Sequence, residues 1–498
     1  MPERAAYAAL EHRFKRLDAL QGASAVLEWD SQTMMPAGGS GDRAEQCATL
    51  ALVCHEILTD PALAELLDRA EEAADLDAWQ AANLAEMRRQ WTHANAVEAR
   101  LVEALSKATS LCEMRWRKAR PDNDFAGLAP LLAEVVALTR ESAAAKAAAL
   151  GCSPYDALLD AYEPGGRAAD IDALFAELAA FLPGFVARAL DHQACKPAPL
   201  PLDGPFPVAA QRALGRRLME TIGFDFDHGR LDVSDHPFCG GTADDVRITT
   251  RYSEGDFTKA LMAVLHETGH AMYERGLPPA WRHQPVGKAG SMGLHESQSL
   301  LLEMQACRGP EFVAFAAPLM REAFGRCGPA WQADNLLRLY TRVEPGLIRV
   351  DADEVTYPAH ILLRYRIEKA LIAGEMAVAD LPGAWSDGMQ ELLGLAPPDD
   401  RTGCLQDVHW AAGLFGYFPT YTLGAMIAAQ LFDAARRADA DILPGIARGD
   451  FAPLFAWLRA NVHGLGASLG PAALVERATG GPLDATVYKA HLEDRYLG

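Results

Sequence analysis

No C-x-x-C pair occurs among the nine cysteines, and an odd number of widely spaced thiols (Cys47, Cys54, Cys112, Cys152, Cys195, Cys239, Cys307, Cys327, Cys404) offers no disulfide framework. Such usage is expected of reduced thiols in a cytoplasmic protein. Dense Lys/Arg runs are also missing. With 46 basic against 67 acidic residues the net charge is −21, which excludes the basic stripes that nucleic-acid phosphates require. Met1 to Leu20 alternates charged and apolar residues and lacks the apolar core of a signal peptide. Nor is a membrane span expected: Ala411 to Phe432 is uncharged, but Gly413, Gly416, Tyr417, Pro419, Thr420 and Tyr421 fit a buried loop leading into a core helix. Internal repeats and low-complexity segments are absent. What the chain does have is core material, because half of its 498 residues are apolar.

The pattern is mainly helical. Up to about residue 195 apolar residues recur at helical spacing, as in Leu10, Phe14, Leu17 and Leu20. Pro197, Pro199, Pro201, Pro205 and Pro207 then make 196–207 an extended connector that no helix tolerates. The expected organisation is one domain over 1–498, with a helical sub-lobe over 1–195 and a second over 208–498. Phe224 to Tyr252 mixes β-favouring residues with Gly and Pro and predicts a small sheet, including a strand in Asp245-Val-Arg-Ile-Thr-Thr-Arg-Tyr252. Helical patterning then runs to the C-terminus, interrupted at Pro278-Pro279, Pro285 to Gly293, Pro397-Pro398 and Gly480-Gly481-Pro482.

The chemistry is concentrated in His266-Glu267-Thr268-Gly269-His270. The surrounding segment, Asp256 to Arg275, predicts a helix with Phe257, Leu261, Leu265, Thr268 and Met272 on one face. Ser253 and Asp256 are candidate caps and Gly276 the candidate stop. Histidines four apart share a helical face and can converge on one Zn²⁺ at about 2.0–2.1 Å, while Glu267 is placed to take a proton from water there. A third ligand is needed for a catalytic ion. Glu296, in His295-Glu296-Ser297-Gln298, would give a His₂Glu set with one position left open. His295 is the rival ligand, its side chain pointing about 100° away on a helix. Glu303, two turns beyond Glu296, suits an outer carboxylate, and Glu274 has the spacing of a further ligand.

Five further segments, with H-E-T-G-H, resemble the M32 family of metallocarboxypeptidases, the thermostable carboxypeptidase group. They are His236-Pro-Phe238, Asp245-Val-Arg247-Ile-Thr249, His295-Glu-Ser-Gln298, Ile348-Arg349-Val-Asp-Ala-Asp353 and Gly403-Cys-Leu-Gln406-Asp407-Val-His409-Trp410. Leu27-Glu-Trp-Asp30 through Met35-Pro36 is similar to the family's first lobe. The resemblance implies a two-lobed helical fold with a deep central groove, like neurolysin and angiotensin-converting enzyme, and a homodimer as the assembly. It also implies removal of single C-terminal residues with broad specificity, poor on proline, and it puts the metal ligands at His266, His270 and Glu296. One departure stands out: the family commonly follows H-E-S-Q-S with Arg and then Trp-Glu-Asn, whereas this chain has Leu300-Leu-Leu-Glu303-Met-Gln305, which bears on specificity more than on chemistry.

An exopeptidase must grip a free α-carboxylate, and a guanidinium does so with paired charge-assisted bonds. Arg349 is the first candidate and Arg247 the second, unless each is a buried Arg paired with an Asp, Asp353 or Asp245. For the oxyanion, Tyr421 comes first and Tyr417 second, with His409 a further donor; Asp407, His409 and Trp410 also suit outer supports of the ligands. His236 reads as a wall of the binding site. The expected cofactor is Zn²⁺, with Co²⁺ a possible substitute; the expected partners are peptide substrates and a second copy of the chain, without nucleic acid or membrane. The alternatives are an oligoendopeptidase or dipeptidyl carboxypeptidase on the same scaffold, or, from another class, a non-catalytic zinc-stabilised binding protein.

Overall fold

The computed structural model describes residues 2–498. Helices dominate, as the periodicity predicts, and their contacts divide the chain into two units. One comprises the chain up to Ala94, Pro199–Tyr340 and Ile427–Leu483; the other comprises Asn95–Ala198, Thr341–Met426 and Asp484–Gly498. Each unit therefore draws chain from both sides of the Pro-rich connector, which forms no helix or strand between Lys196 and Pro207.

In the first unit the helices Pro2–Thr33, Ser40–Thr59 and Pro61–Glu71 share a core of Leu10, Phe14, Leu17, Leu63 and Leu67. Asp60 starts the third of these helices by accepting from the Ala62 N–H, with Pro61 in the first turn, where its missing N–H costs nothing. The predicted sheet is present. Its strands are β1 (Gly229–Val233), β2 (Cys239–Thr242) and β3 (Asp245–Thr250), with β3 central, parallel to β1 and antiparallel to β2. Val246, Ile248 and Thr250 of β3 are buried, the inward half of a period-two pattern, and β3 packs on the helix Thr258–Gly276.

That helix carries the two histidines, and all five apolar-face residues predicted for it are buried. Its end comes at Gly276, where the stop was expected, but differs in form: Gly276 is the last helical residue, not in the left-handed region, and Leu277 follows as the cap. The glycine is needed for proximity, since a Cβ there would lie 2.4 Å from Nδ1 of His463. The next segment also differs: helix Met292–Leu300 passes directly into a π-helical turn, Leu301–Cys307, in place of a continued α-helix.

The second unit is built on long helices, among them Ala99–Asp122, Phe125–Leu150, Ala168–Ala194 and Tyr357–Ala373. Asn123 closes the first of these in the left-handed region at φ 54°, and Asp124 caps the next by accepting from the Gly127 N–H. Ala168–Ala194 is long and apolar enough to cross a membrane by length and composition. Here its Asp172, Glu177 and Arg188 form ion pairs with Lys369, Lys489 and Glu493. The uncharged stretch at 411–432 is a turn-rich segment followed by the helix Pro419–Ala438, largely buried as expected.

Candidate active site

In the first unit, the neighbouring helices Thr258–Gly276 and Met292–Leu300 bring His266, His270 and Glu296 together, with one ligand atom from each lying within 4.8 Å of the others. Glu296 Oε2 is 3.4 Å from His270 Nε2 and 3.9 Å from His266 Nε2. Gly269 permits this approach. A Cβ on it would stand 2.5 Å from the Gln298 carbonyl oxygen and 2.6 Å from Ser299 Cα, so the turn between the two histidines packs directly on the backbone that follows Glu296. Gln298 is held in turn by His463, whose Nε2 lies 3.0 Å from its Oε1.

Both imidazoles are oriented from behind. His266 Nδ1 lies 2.9 Å from Glu303 Oε2, and His270 Nδ1 lies 3.1 Å from the His295 carbonyl oxygen. With each Nδ1 engaged, each Nε2 faces Glu296. The rival residues have other work: the His295 ring stacks on His270 at 4.5 Å, and its Nε2 is 2.9 Å from Glu274. Neither His295 nor Glu274 enters the three-residue cluster.

The electrostatics favour a cation. Burial alone would pull the His266 imidazole down, but Glu296 and then Glu303 reverse this and push it up to about 10, a proton there answering the surrounding negative charge. Two imidazole nitrogens and a carboxylate, each supported from outside, are a donor set suited to a divalent ion with an open position. Glu267, 6% exposed, sits among these groups, and burial pushes its carboxyl up to about 7.

The remaining first-unit candidates lie around the sheet. Arg247 pairs with Asp245, as its alternative reading had it, and stacks over Trp29 with 4.4 Å from guanidinium carbon to ring centroid. Arg230 covers the same ring at 4.7 Å. Thr249 fixes the His236-Pro-Phe238 loop, its Oγ1 accepting from the Phe238 N–H and from Ser234 Oγ. His236 itself is exposed.

The second unit gathers Arg349, Asp407, His409, Tyr417 and Tyr421. Arg349 pairs with Asp407, not with Asp353: Nε and an Nη reach Oδ1 at 3.1 and 2.8 Å. Asp353 is occupied by backbone, accepting from the N–H groups of Val355, Thr356 and Glu344. Gln406 joins the two motifs, its Oε1 accepting from the Arg349 N–H and its Nε2 donating to the Leu347 carbonyl. The Arg349 guanidinium lies 5.1 Å from the Tyr421 ring centroid, and His409 Nε2 is 3.3 Å from the Tyr421 hydroxyl.

Sequence reasoning missed two residues here. Arg364, fully buried, gives Nε to Asp407 Oδ2 at 2.6 Å, so one carboxylate serves two guanidiniums. Burial holds His360 down at about 3 and His409 at about 4, both neutral at pH 7. The Arg349, Arg364 and Asp407 group thus carries one positive charge in excess. Glu368 is the second. It is wholly buried, accepts from Tyr155, from Trp410 Nε1 and from the Gly416 N–H, and so anchors the turn leading to Tyr417 and Tyr421. The signal for both was a charge set among bulky apolar residues in Ile361-Leu-Leu-Arg364-Tyr-Arg-Ile367-Glu368.

A mainly helical chain with a small sheet, and a His₂Glu cluster made by an H-E-x-x-H helix and its neighbour, defines a metallopeptidase. The comparisons narrow the class. Residues 9–496 match the family described as Carboxypeptidase Taq (M32) metallopeptidase. The chain is 42% identical to thermostable carboxypeptidase 1 of Thermus thermophilus across 100% of this chain and 99% of that protein, and 35% identical to carboxypeptidase 1 of Bacillus subtilis over 97% and 96%. Among solved structures it resembles metallocarboxypeptidase 1 of Trypanosoma cruzi, with TM-score 0.97, 43% identity and 99% and 100% of the two chains covered. The chain belongs to the M32 family and is a metallocarboxypeptidase acting on peptides with a divalent metal.

Proposed function

We propose that the protein removes single amino acids from the C-termini of peptides, with Zn²⁺ as its ion and Co²⁺ as a competent substitute. The observation that carries the exopeptidase reading is the buried excess of positive charge on Arg349, Arg364 and Asp407. An endopeptidase needs no such group, whereas a free terminal carboxylate neutralises it and satisfies guanidinium donors in pairs. Relatives named carboxypeptidases support the same reading. Broad side-chain tolerance, poor reaction with C-terminal proline, a homodimeric assembly, a cytoplasmic location and independence of membrane and nucleic acid rest on the resemblance, the thiol usage and the acidic composition.

In this scheme His266, His270 and Glu296 hold the ion, with Glu303 and the His295 carbonyl fixing the two imidazoles. When bound, the ion polarises water and the scissile carbonyl. Glu267 accepts the proton of the attacking water and delivers it to the leaving amine. Arg349 receives the terminal carboxylate, aimed by Asp407, which Arg364 holds from its other oxygen. Tyr421, with its hydroxyl against the neutral His409, is the first choice for hydrogen-bonding the oxyanion, and Tyr417 the second.

Mass spectrometry of a digested decapeptide tests the assignment. A ladder falling by one residue at a time from the C-terminus is expected; two-residue steps or internal cuts would transfer the protein to the dipeptidyl carboxypeptidase or oligoendopeptidase reading.

A further inference from the structure

The outer support of His266 extends one residue beyond Glu303. Glu303 has two carboxylate oxygens, and both are used: Oε2 lies 2.9 Å from His266 Nδ1, and Oε1 accepts from Arg308 at 2.7 Å. Arg308 is further positioned by the Tyr340 carbonyl oxygen at 3.2 Å. The three side chains form a line, guanidinium to carboxylate to imidazole, with Glu303 and Arg308 only 9% and 16% exposed.

The π-helical turn explains why Arg308 can take part. On an α-helix, residues five apart point about 140° from one another, so Glu303 and Arg308 would face different ways. In i→i+5 bonding the turn is wider, and residues five apart return to one face. The turn Leu301–Cys307 carries Glu303 and hands the chain to Arg308, so the local departure from α-helix turns a five-residue spacing into a contact. Without the guanidinium, the buried Glu303 would keep its charge opposite one imidazole alone, with nothing to fix which oxygen faces which partner.

We propose that Arg308 is a positioning residue of the metal centre, acting through Glu303 to fix the ring orientation of His266 and its strength as a ligand. This rests on the reading of His266 as a ligand. The experiment measures Zn²⁺ affinity by chelator competition, and the visible absorption of the Co²⁺-loaded full-length chain, for the parent, Arg308→Met, Arg308→Lys, Glu303→Gln, the Arg308→Met/Glu303→Gln double variant and His266→Ala. Loss of an outer-shell partner of a metal-bound histidine weakens binding roughly 10- to 100-fold, and Arg308→Met is expected to fall in that range with an altered Co²⁺ spectrum. Arg308→Lys, keeping the charge, should recover part of the affinity. The double variant should bind no more weakly than Glu303→Gln alone, because both changes cut one line. Parental affinity and spectrum in Arg308→Met, or losses that simply add in the double variant, would overturn the proposal. If Arg308→Met does not fold, the Arg308→Lys/Glu303→Gln double variant against its two single variants carries the same comparison, and additive losses there have the same force. His266→Ala separates the two levels: undiminished Zn²⁺ affinity in that variant would sink the ligand assignment itself.

Discussion

Gly269→Ala is a one-methyl change whose consequence follows from the packing. The new Cβ would meet the Gln298 carbonyl oxygen at 2.5 Å, where ordinary contact begins near 3.4 Å, so the helix bearing Glu296 must retreat by the difference, about 0.9 Å. Neither obstacle is a flexible side chain; both are backbone. Overpacking of this kind costs about 1–3 kcal/mol, and the better helix propensity of alanine returns roughly 1 kcal/mol of it, leaving a modest net destabilisation. The larger effect falls on the ligand set. Glu296 sits two residues from the displaced carbonyl, and an ångström of misplacement at a reacting centre is worth on the order of 100-fold in rate. Zn²⁺ affinity by chelator competition and peptide turnover should therefore fall much further than urea stability does. Gly184→Ala is the control: nothing lies within 4 Å of its Cβ, and it sits inside a helix, so it should be neutral or slightly stabilising. A Gly269→Ala protein with parental metal affinity and turnover would refute the argument that this glycine sets the distance between the two helices.

Glu368→Gln is expected to change the pH dependence of stability. Burial raises the Glu368 carboxyl from 4.5 to about 7, so the folded chain holds this proton more tightly than the unfolded chain does. The contribution is fully present below pH 4.5 and lost as pH rises through about 7; 2.5 units correspond to about 3 kcal/mol. Relative to the parent, Glu368→Gln should gain about that much between pH 5 and pH 8 in urea unfolding, and a difference independent of pH would contradict the assignment. Asp407→Asn leaves two buried guanidiniums without their shared counter-charge and should destabilise the protein by about 3–5 kcal/mol, again by urea unfolding. A loss below about 1 kcal/mol would mean that the pairs contribute little.

Much of the fold was legible because its signals are local. Period-3.6 patterning, the five prolines of 196–207 and the β-favouring residues around Asp245–Thr250 each act within a few residues. His266 and His270 were legible for the same reason, and Glu296, on another helix, through the need for a third ligand and the resemblance of its motif. Pairings across long separations were not. Arg349 finds Asp407, 58 residues away, although Asp353 was nearer in sequence, and Asp353 instead accepts from the backbone of the turn before the helix Tyr357–Ala373. Gly276 read as a helix stop because the usual role of glycine there is a positive φ, whereas here it makes room for His463, which no local pattern announces. The π turn was hidden for a related reason: Leu300 to Cys307 reads as ordinary helix, its apolar residues marking no wider register.

The central claim is that a divalent ion on His266, His270 and Glu296 works with Glu267 as proton carrier, and Glu267→Gln tests it most directly. Metal content by elemental analysis and C-terminal residue release should be measured on the same preparation. The account predicts metal at the parental level with turnover reduced by about 10²–10⁴-fold. Turnover close to the parent's with metal retained would contradict it.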